Sequence, residues 1–138
     1  MKRAKPTQFR VKYSHCDQMG LVYHVNHLEY FEWARSDWLR QNLRSYAEIE
    51  AEGYYLVMTE ANLKYLKPAH YEDILEVSVK PIYWGNSRID FDYSIMRIDD
   101  NANICIGVTR HCFTNKGGKP ISMPSDLKQL LTSKPSEC

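Results

Sequence analysis

Residues 15–26 read His15-Cys16-Asp17-Gln18-Met19-Gly20-Leu21-Val22-Tyr23-His24-Val25-Asn26, and the reading of this stretch decides the fold. Before it, residues Thr7–Tyr13 alternate. Phe9, Val11 and Tyr13 share one face and Gln8, Arg10 and Lys12 the other, the period of a half-buried strand. After it, from about Val25 to Tyr46, the period becomes helical. Val25, Leu28, Phe31, Ala34 and Trp38 fall on one stripe, with Leu39 and Leu43 beside it. The quoted stretch is therefore a glycine-containing loop that carries the chain from a strand into its longest helix. Asn26 is placed to cap that helix, with Glu29 reaching back three residues on. Glu32 with Arg35, and Asp37 with Arg40, stand at ion-pair spacing.

The same stretch carries chemistry. A helix start has backbone N–H groups without intrahelical acceptors and the positive end of the helix dipole. Asp17 and the amides around His24 are thus brought near one another. A carboxylate there acts on water or on an acyl carbon, and an amide donor stabilises a developing oxyanion. This is the pattern of an acyl-transfer hydrolase.

Four strand-like segments follow the helix: Tyr54–Leu66, Asp73–Tyr83, Arg88–Ile98 and Asn103–Thr114. Turn signals separate them at Lys67-Pro68-Ala69, Gly85-Asn86 and Asp99-Asp100-Asn101, and short connections imply antiparallel neighbours. Pro124 opens a short C-terminal helix through Leu131, and residues 133–138 read as a loose tail. The order predicts one α+β domain over residues 1–138, an antiparallel sheet of about five strands wrapped around one long helix. The sheet's second face and edges need cover, so a homo-oligomer is expected.

The balance of 18 basic and 17 acidic side chains in 138 residues gives no reason to expect nucleic-acid binding. No apolar run is long enough to span a membrane, and the basic N-terminus leads into no secretory signal. The four cysteines follow no metal spacing. Cys105 and Cys112 sit in one predicted strand at opposite parity and should not pair, so a reduced, cytoplasmic protein is expected.

With these residues in view, the chain resembles the hotdog-fold acyl-CoA thioesterases of the YbgC and 4-hydroxybenzoyl-CoA thioesterase group. The resemblance runs through Tyr13, Asp17, Gly20, Val22-Tyr23-His24, Asn26, Leu28, Tyr30-Phe31-Glu32 and Ala34-Arg35. It continues through Tyr65-Leu66-Lys67-Pro68-Ala69, Tyr71-Glu72-Asp73, Lys119-Pro120-Ile121 and Pro124. It implies a central helix wrapped by the sheet, with active sites at a dimer interface, commonly in a homotetramer built as a dimer of dimers. It implies thioester hydrolysis without metal or cofactor, with Asp17 as base or nucleophile and the His24 amide polarising the carbonyl. The substrate would be an acyl-CoA or acyl-carrier-protein thioester. Cys16, Met19 and His27 depart from the residues common in the family, which bears on acyl-chain preference.

Other readings of the same residues remain in view. Asp17 would also serve as a plain loop cap. His15, His24 and His27 with Cys16 and Asp17 are suitable metal-ligand types, but their spacing matches no closed zinc pattern. Glu32 with Arg35 reads as a structural ion pair. Gly20, Tyr23 and Asn26 are placed to line the substrate site. Arg88 is placed to meet coenzyme A phosphates, as are Lys116 and Lys119. A non-catalytic module that binds acyl-thioesters or carrier proteins on the same fold is the alternative function.

Overall fold

The computed structural model describes residues 5–133. In chain order they form β1 (Thr7–Arg10), a single 3-10 turn (Tyr13–His15), α1 (Asn26–Asn42), α2 (Tyr46–Ala51), β2 (Tyr55–Tyr65), β3 (Ile74–Tyr83), β4 (Arg88–Arg97), β5 (Asn103–Thr114) and α3 (Ser125–Thr132). The five strands make one antiparallel sheet in the order β1-β3-β4-β5-β2. The α+β hotdog architecture expected from the sequence is what the chain adopts.

Alternation decides which side of the sheet the helix covers. Ile89, Phe91, Tyr93 and Ile95 of β4 are all buried, as are Leu75 and Val77 of β3. Phe31 of α1 lies flat on Tyr93, with ring centroids 4.2 Å apart and planes 5° from parallel, and Trp38 meets Phe91 edge-on. The close approach depends on Gly107 of β5. A Cβ there would lie 2.6 Å from Phe31 Cε2 and 2.7 Å from the Asn62 carbonyl oxygen. Pro81, which has no N–H to give, pairs with Phe91 of β4 and lies beyond the described register of β1.

Several expectations are corrected. β1 stops at Arg10 because the chain turns at Lys12 into the 3-10 turn, which leaves Tyr13 outside the buried face. The long helix ends at Asn42 rather than near Tyr46. Leu43 leaves the helical region (φ −139°, ψ −89°), and the Ser45 side chain accepts the Glu48 N–H to start α2. The apolar period ran on through this break because α2 buries Ile49 in the same core. Val25 is exposed, so the buried stripe begins one turn later. Asn26 does not cap α1: its side chain donates instead to the His15 carbonyl at 2.8 Å. Among the described residues Glu32 makes no ion pair with Arg35, whose guanidinium donates to the Tyr93 hydroxyl at 2.9 Å. Asp37 and Arg40 do pair.

The Lys67-Pro68-Ala69 signal is not a hairpin. β2 lies at the far edge beside β5, and residues 66–73 cross over to β3. Cys105 is buried and Cys112 half-buried, in keeping with opposite faces. The expected tail falls largely on residues 134–138, which lie outside the described residues.

Candidate active site

The loop before α1 is a closed turn. Cys16 bridges to Val22, the Asp17 N–H donates to the Leu21 carbonyl at 2.8 Å, and Gly20 takes φ +76°, a conformation that favours glycine. One carboxylate oxygen of Asp17, Oδ1, accepts the amides of Met19 at 2.9 Å and Leu21 at 3.2 Å. Asp17 thus does cap its loop, as the simplest reading supposed. Its other oxygen, Oδ2, has no protein partner among the described residues, so one bond-accepting atom is held in place and the other is left for chemistry.

The helix start is tied to this loop through one atom, the His15 carbonyl oxygen. It accepts the Tyr23 N–H at 2.9 Å and the Asn26 side chain at 2.8 Å. The His15 ring is itself fixed by the Tyr30 hydroxyl, 3.0 Å from Nδ1, and partial burial holds it below the usual histidine pKa. At His24 the backbone N–H has no acceptor among the described residues. Its carbonyl accepts the Tyr65 hydroxyl at 2.8 Å and faces His27 Nδ1 at 3.1 Å. Burial pushes the His27 pKa down, so this ring is neutral near pH 7.

Asp17, Tyr23 and His24 line one open cleft of about 410 Å³, together with Leu21, Val22, His27, Tyr65, Leu66, Lys67 and Pro68. The loop and the helix start supply one wall. The crossover supplies the other: the Val22 N–H donates to the Ala69 carbonyl at 2.8 Å, and the Tyr71 N–H reaches the Gly20 carbonyl at 3.3 Å. Arg97 holds that crossover from behind, donating to the Pro68 carbonyl at 3.0 Å while pairing with Asp73 and Asp100.

Of the residues expected at the site, Asp17, Tyr23 and His24 stand on the cleft. Gly20 and Asn26 shape it without lining it. Arg88 does not meet it within this chain. It pairs across the sheet with Cys112, and Cys112 with Val57, eight residues from Tyr65 along β2, roughly 26 Å of strand. There Arg88 lies over the Trp84 ring and against the buried Asp90. Lys116 and Lys119 lie in the segment after β5 and are absent from the cleft wall. Among the described residues no three His, Cys, Asp or Glu side chains converge as a metal-binding group. No helix of the described residues is long and apolar enough to cross a membrane. Residue-level chemistry did not assign Tyr65, Lys67 or Pro68 to the site, because their contacts depend on the crossover. The only signal for them was the Tyr65–Ala69 segment of the family resemblance.

The fold defines a class, the hotdog-fold proteins, and in this one Asp17 and the start of the central helix line one cleft. The comparisons agree. The family model described as the thioesterase-like superfamily matches residues 11–131. A relative in Aquifex aeolicus is 31% identical over 122 residues, 88% of this chain and 93% of that one. The Escherichia coli O6:H1 acyl-CoA thioester hydrolase YbgC is 25% identical over 118 residues, 86% of this chain and 88% of its own. A crystal structure of an Aquifex aeolicus protein superposes with a TM-score of 0.85 at 28% identity, covering 92% of this chain and 98% of that chain. The chain belongs to the thioesterase-like superfamily, and YbgC is one of the relatives it resembles.

Proposed function

We propose that this protein hydrolyses acyl-CoA thioesters at the cleft between Asp17 and the first turn of α1. The observation that carries the reading is that Asp17 and His24, whose N–H has no acceptor among the described residues, line the same opening. A thioester seated with its carbonyl oxygen toward that N–H places its acyl carbon within reach of the carboxylate. In one route Asp17 takes a proton from water as the water oxygen bonds to the acyl carbon. In the other, the carboxylate bonds to that carbon and water then cleaves the mixed anhydride. In both, the carbonyl electrons move onto oxygen, where the amide receives them. Their return breaks the carbon–sulfur bond, and the thiolate leaves and takes up a proton. General-base assistance supplies roughly 10²–10⁴-fold, and one well-aimed donor about 10²–10³-fold more.

The cleft walls accord with the substrate. Tyr23, Tyr65, Leu66 and Pro68 offer surface to an acyl group, and Lys67 offers charge to the coenzyme. An acyl-carrier protein presents the same thioester on a larger body. Tyr23, Val25, Tyr65, Leu66, Val57 and Met58 are exposed around the cleft and along β2, whose outer edge has no strand partner among the described residues. A second copy covering this edge would close the site, and pairing of such dimers would give a homotetramer.

The test is Asp17→Asn, assayed by thiol release across a panel of acyl-CoAs of different chain length. The expected result is a fall of about 10²–10⁴-fold in kcat. Retained turnover removes Asp17 from the reaction. Saturable acyl-CoA binding by the unaltered protein without thiol release would instead favour the binding-module reading.

A further inference from the structure

The geometry points to Tyr65 and His27 as positioning residues that jointly hold the turn presenting the His24 N–H. This inference rests on the proposed role of that amide. The entry to α1 has no side-chain cap. Val25 occupies the N-cap position without a capping bond, and the Asn26 side chain is committed to the His15 carbonyl. The turn is gripped instead at the other backbone group of the same residue. The His24 carbonyl receives the Tyr65 hydroxyl at 2.8 Å and lies 3.1 Å from His27 Nδ1. A carbonyl oxygen only accepts, so His27 must carry its proton on Nδ1. The two rings also pack edge to face, with centroids 4.8 Å apart and planes at 86°.

The two donors come from different places. His27 lies in the first turn of α1. Tyr65 ends β2, forty-one residues from His24, in register with Cys105 of β5. The edge strand therefore fixes the orientation of the helix start relative to the Asp17 loop. Fixing the His24 carbonyl limits rotation about the His24 backbone, and that rotation is what aims its N–H. An oxyanion exists only after attack on the carbonyl, so loosening this grip should slow turnover without weakening substrate capture.

The experiment measures kcat, KM and thermal midpoint for full-length Tyr65→Phe, His27→Leu, His27→Gln and the Tyr65→Phe/His27→Leu double variant, with Asp17→Asn alongside. Tyr65→Phe removes one exposed hydroxyl and keeps the ring, so it stays informative if the buried His27→Leu change impairs folding. Each single loss should lower kcat about fivefold, and the double about fiftyfold or more, because one remaining bond still restrains the carbonyl. KM should stay within about twofold and the Tyr65→Phe midpoint should not move. His27→Gln, which keeps an N–H donor, should recover part of the His27→Leu loss.

Unchanged kcat in the double variant overturns the inference. So does a rise in KM at constant kcat, which would make the Tyr65 hydroxyl a substrate contact rather than a brace for the turn, or a loss of kcat that only tracks a lowered midpoint. If Asp17→Asn keeps its turnover, the reading of the site itself fails, whatever Tyr65→Phe does. If Asp17→Asn is inactive and the double variant works normally, only the positioning role falls.

Discussion

Two polar assemblies in this molecule are built around tyrosine and histidine and differ in what they leave unpaired. Under α1, Arg35 donates to the Tyr93 hydroxyl at 2.9 Å, Tyr93 lies 2.6 Å from the Thr109 hydroxyl, and Thr109 lies 2.7 Å from His111 Nε2. Arginine is a donor only, so the protons of this chain all point one way, ending on His111 Nε2 and leaving the histidine's proton on Nδ1. Among the described residues that Nδ1 has no partner, and His111 is 1% exposed. At the N-terminal end of the same helix, Asp17, His24, His27 and Tyr65 form the second assembly and all line an open cleft; among the described residues Asp17 Oδ2 and the His24 N–H have no partner. A polar atom left over in the interior costs about 1–3 kcal/mol. The same atom left over at a cleft is hydrated at little cost and is available to a substrate. Access to solvent separates the buried network from the one proposed to react.

Exchanging damage between the two regions tests this contrast most strongly. Asp17→Asn should lower kcat by roughly 10²–10⁴-fold. The melting temperature should change little, because an asparagine side-chain oxygen can still accept the Met19 and Leu21 amides. Gly107→Ala should do the reverse. The added methyl meets both Phe31 and the Asn62 backbone, so overpacking should destabilise by about 1–3 kcal/mol in urea unfolding. Residual kcat per folded molecule should be near normal. A Gly107→Ala protein of unchanged stability would mean that the Phe31 stack on Tyr93 is looser than described.

Acid should separate the regions next. Burial, reinforced by the nearby Arg35 charge, holds His111 down at about 3, against 6.5 when unfolded. The unfolded chain therefore binds a proton that the folded chain refuses, and stability present above pH 6.5 is lost as pH falls toward 3. His15 and His27 are shifted in the same direction by burial and add to the slope. The contribution of His111 is on the order of a few kcal/mol at about 1.4 kcal/mol per pKa unit. Urea midpoints at pH 7.5 and pH 5 measure it. His111→Leu should flatten the difference, and an unchanged slope would assign acid sensitivity to other groups.

The sequence displayed most of the elements and little of their arrangement. Period-two alternation placed β5 at Asn103–Thr114 and marked Ile89, Phe91, Tyr93 and Ile95 as one face, because burial on a pleat is written residue by residue. The Asp17–Gly20 turn was legible for the same reason, since its bonds are local. The route of β2 was not. Lys67-Pro68 looks the same whether the chain folds back as a hairpin or crosses the sheet, and that ambiguity hid Tyr65, Lys67 and Pro68 from the site. Alternation alone would put Asp90 on the solvent face of β4, opposite Ile89 and Phe91. It stands among polar residues of β4 yet is 2% exposed, between Arg88 and Arg110, because its cover comes from neighbouring strands.

The smallest expected effect lies away from both assemblies. Arg44, just after the break in the long helix, grips Glu52 beyond α2 through two nitrogens, at 2.6 and 2.7 Å, and reaches Asp126 at the start of α3. Its side chain is largely covered while both carboxylates are about half exposed, so solvent screens the pairs. Arg44→Met keeps the aliphatic stem and removes the charge. The protein should lose at most about 1 kcal/mol, and more of that loss should vanish in 1 M salt than for Gly107→Ala. Turnover should be untouched, because none of the three residues lines the cleft. A fall in kcat at constant stability would show that the packing of α2 and α3 reaches the first turn of α1, and the separation drawn between framework and site would then have to be given up at that end of the helix.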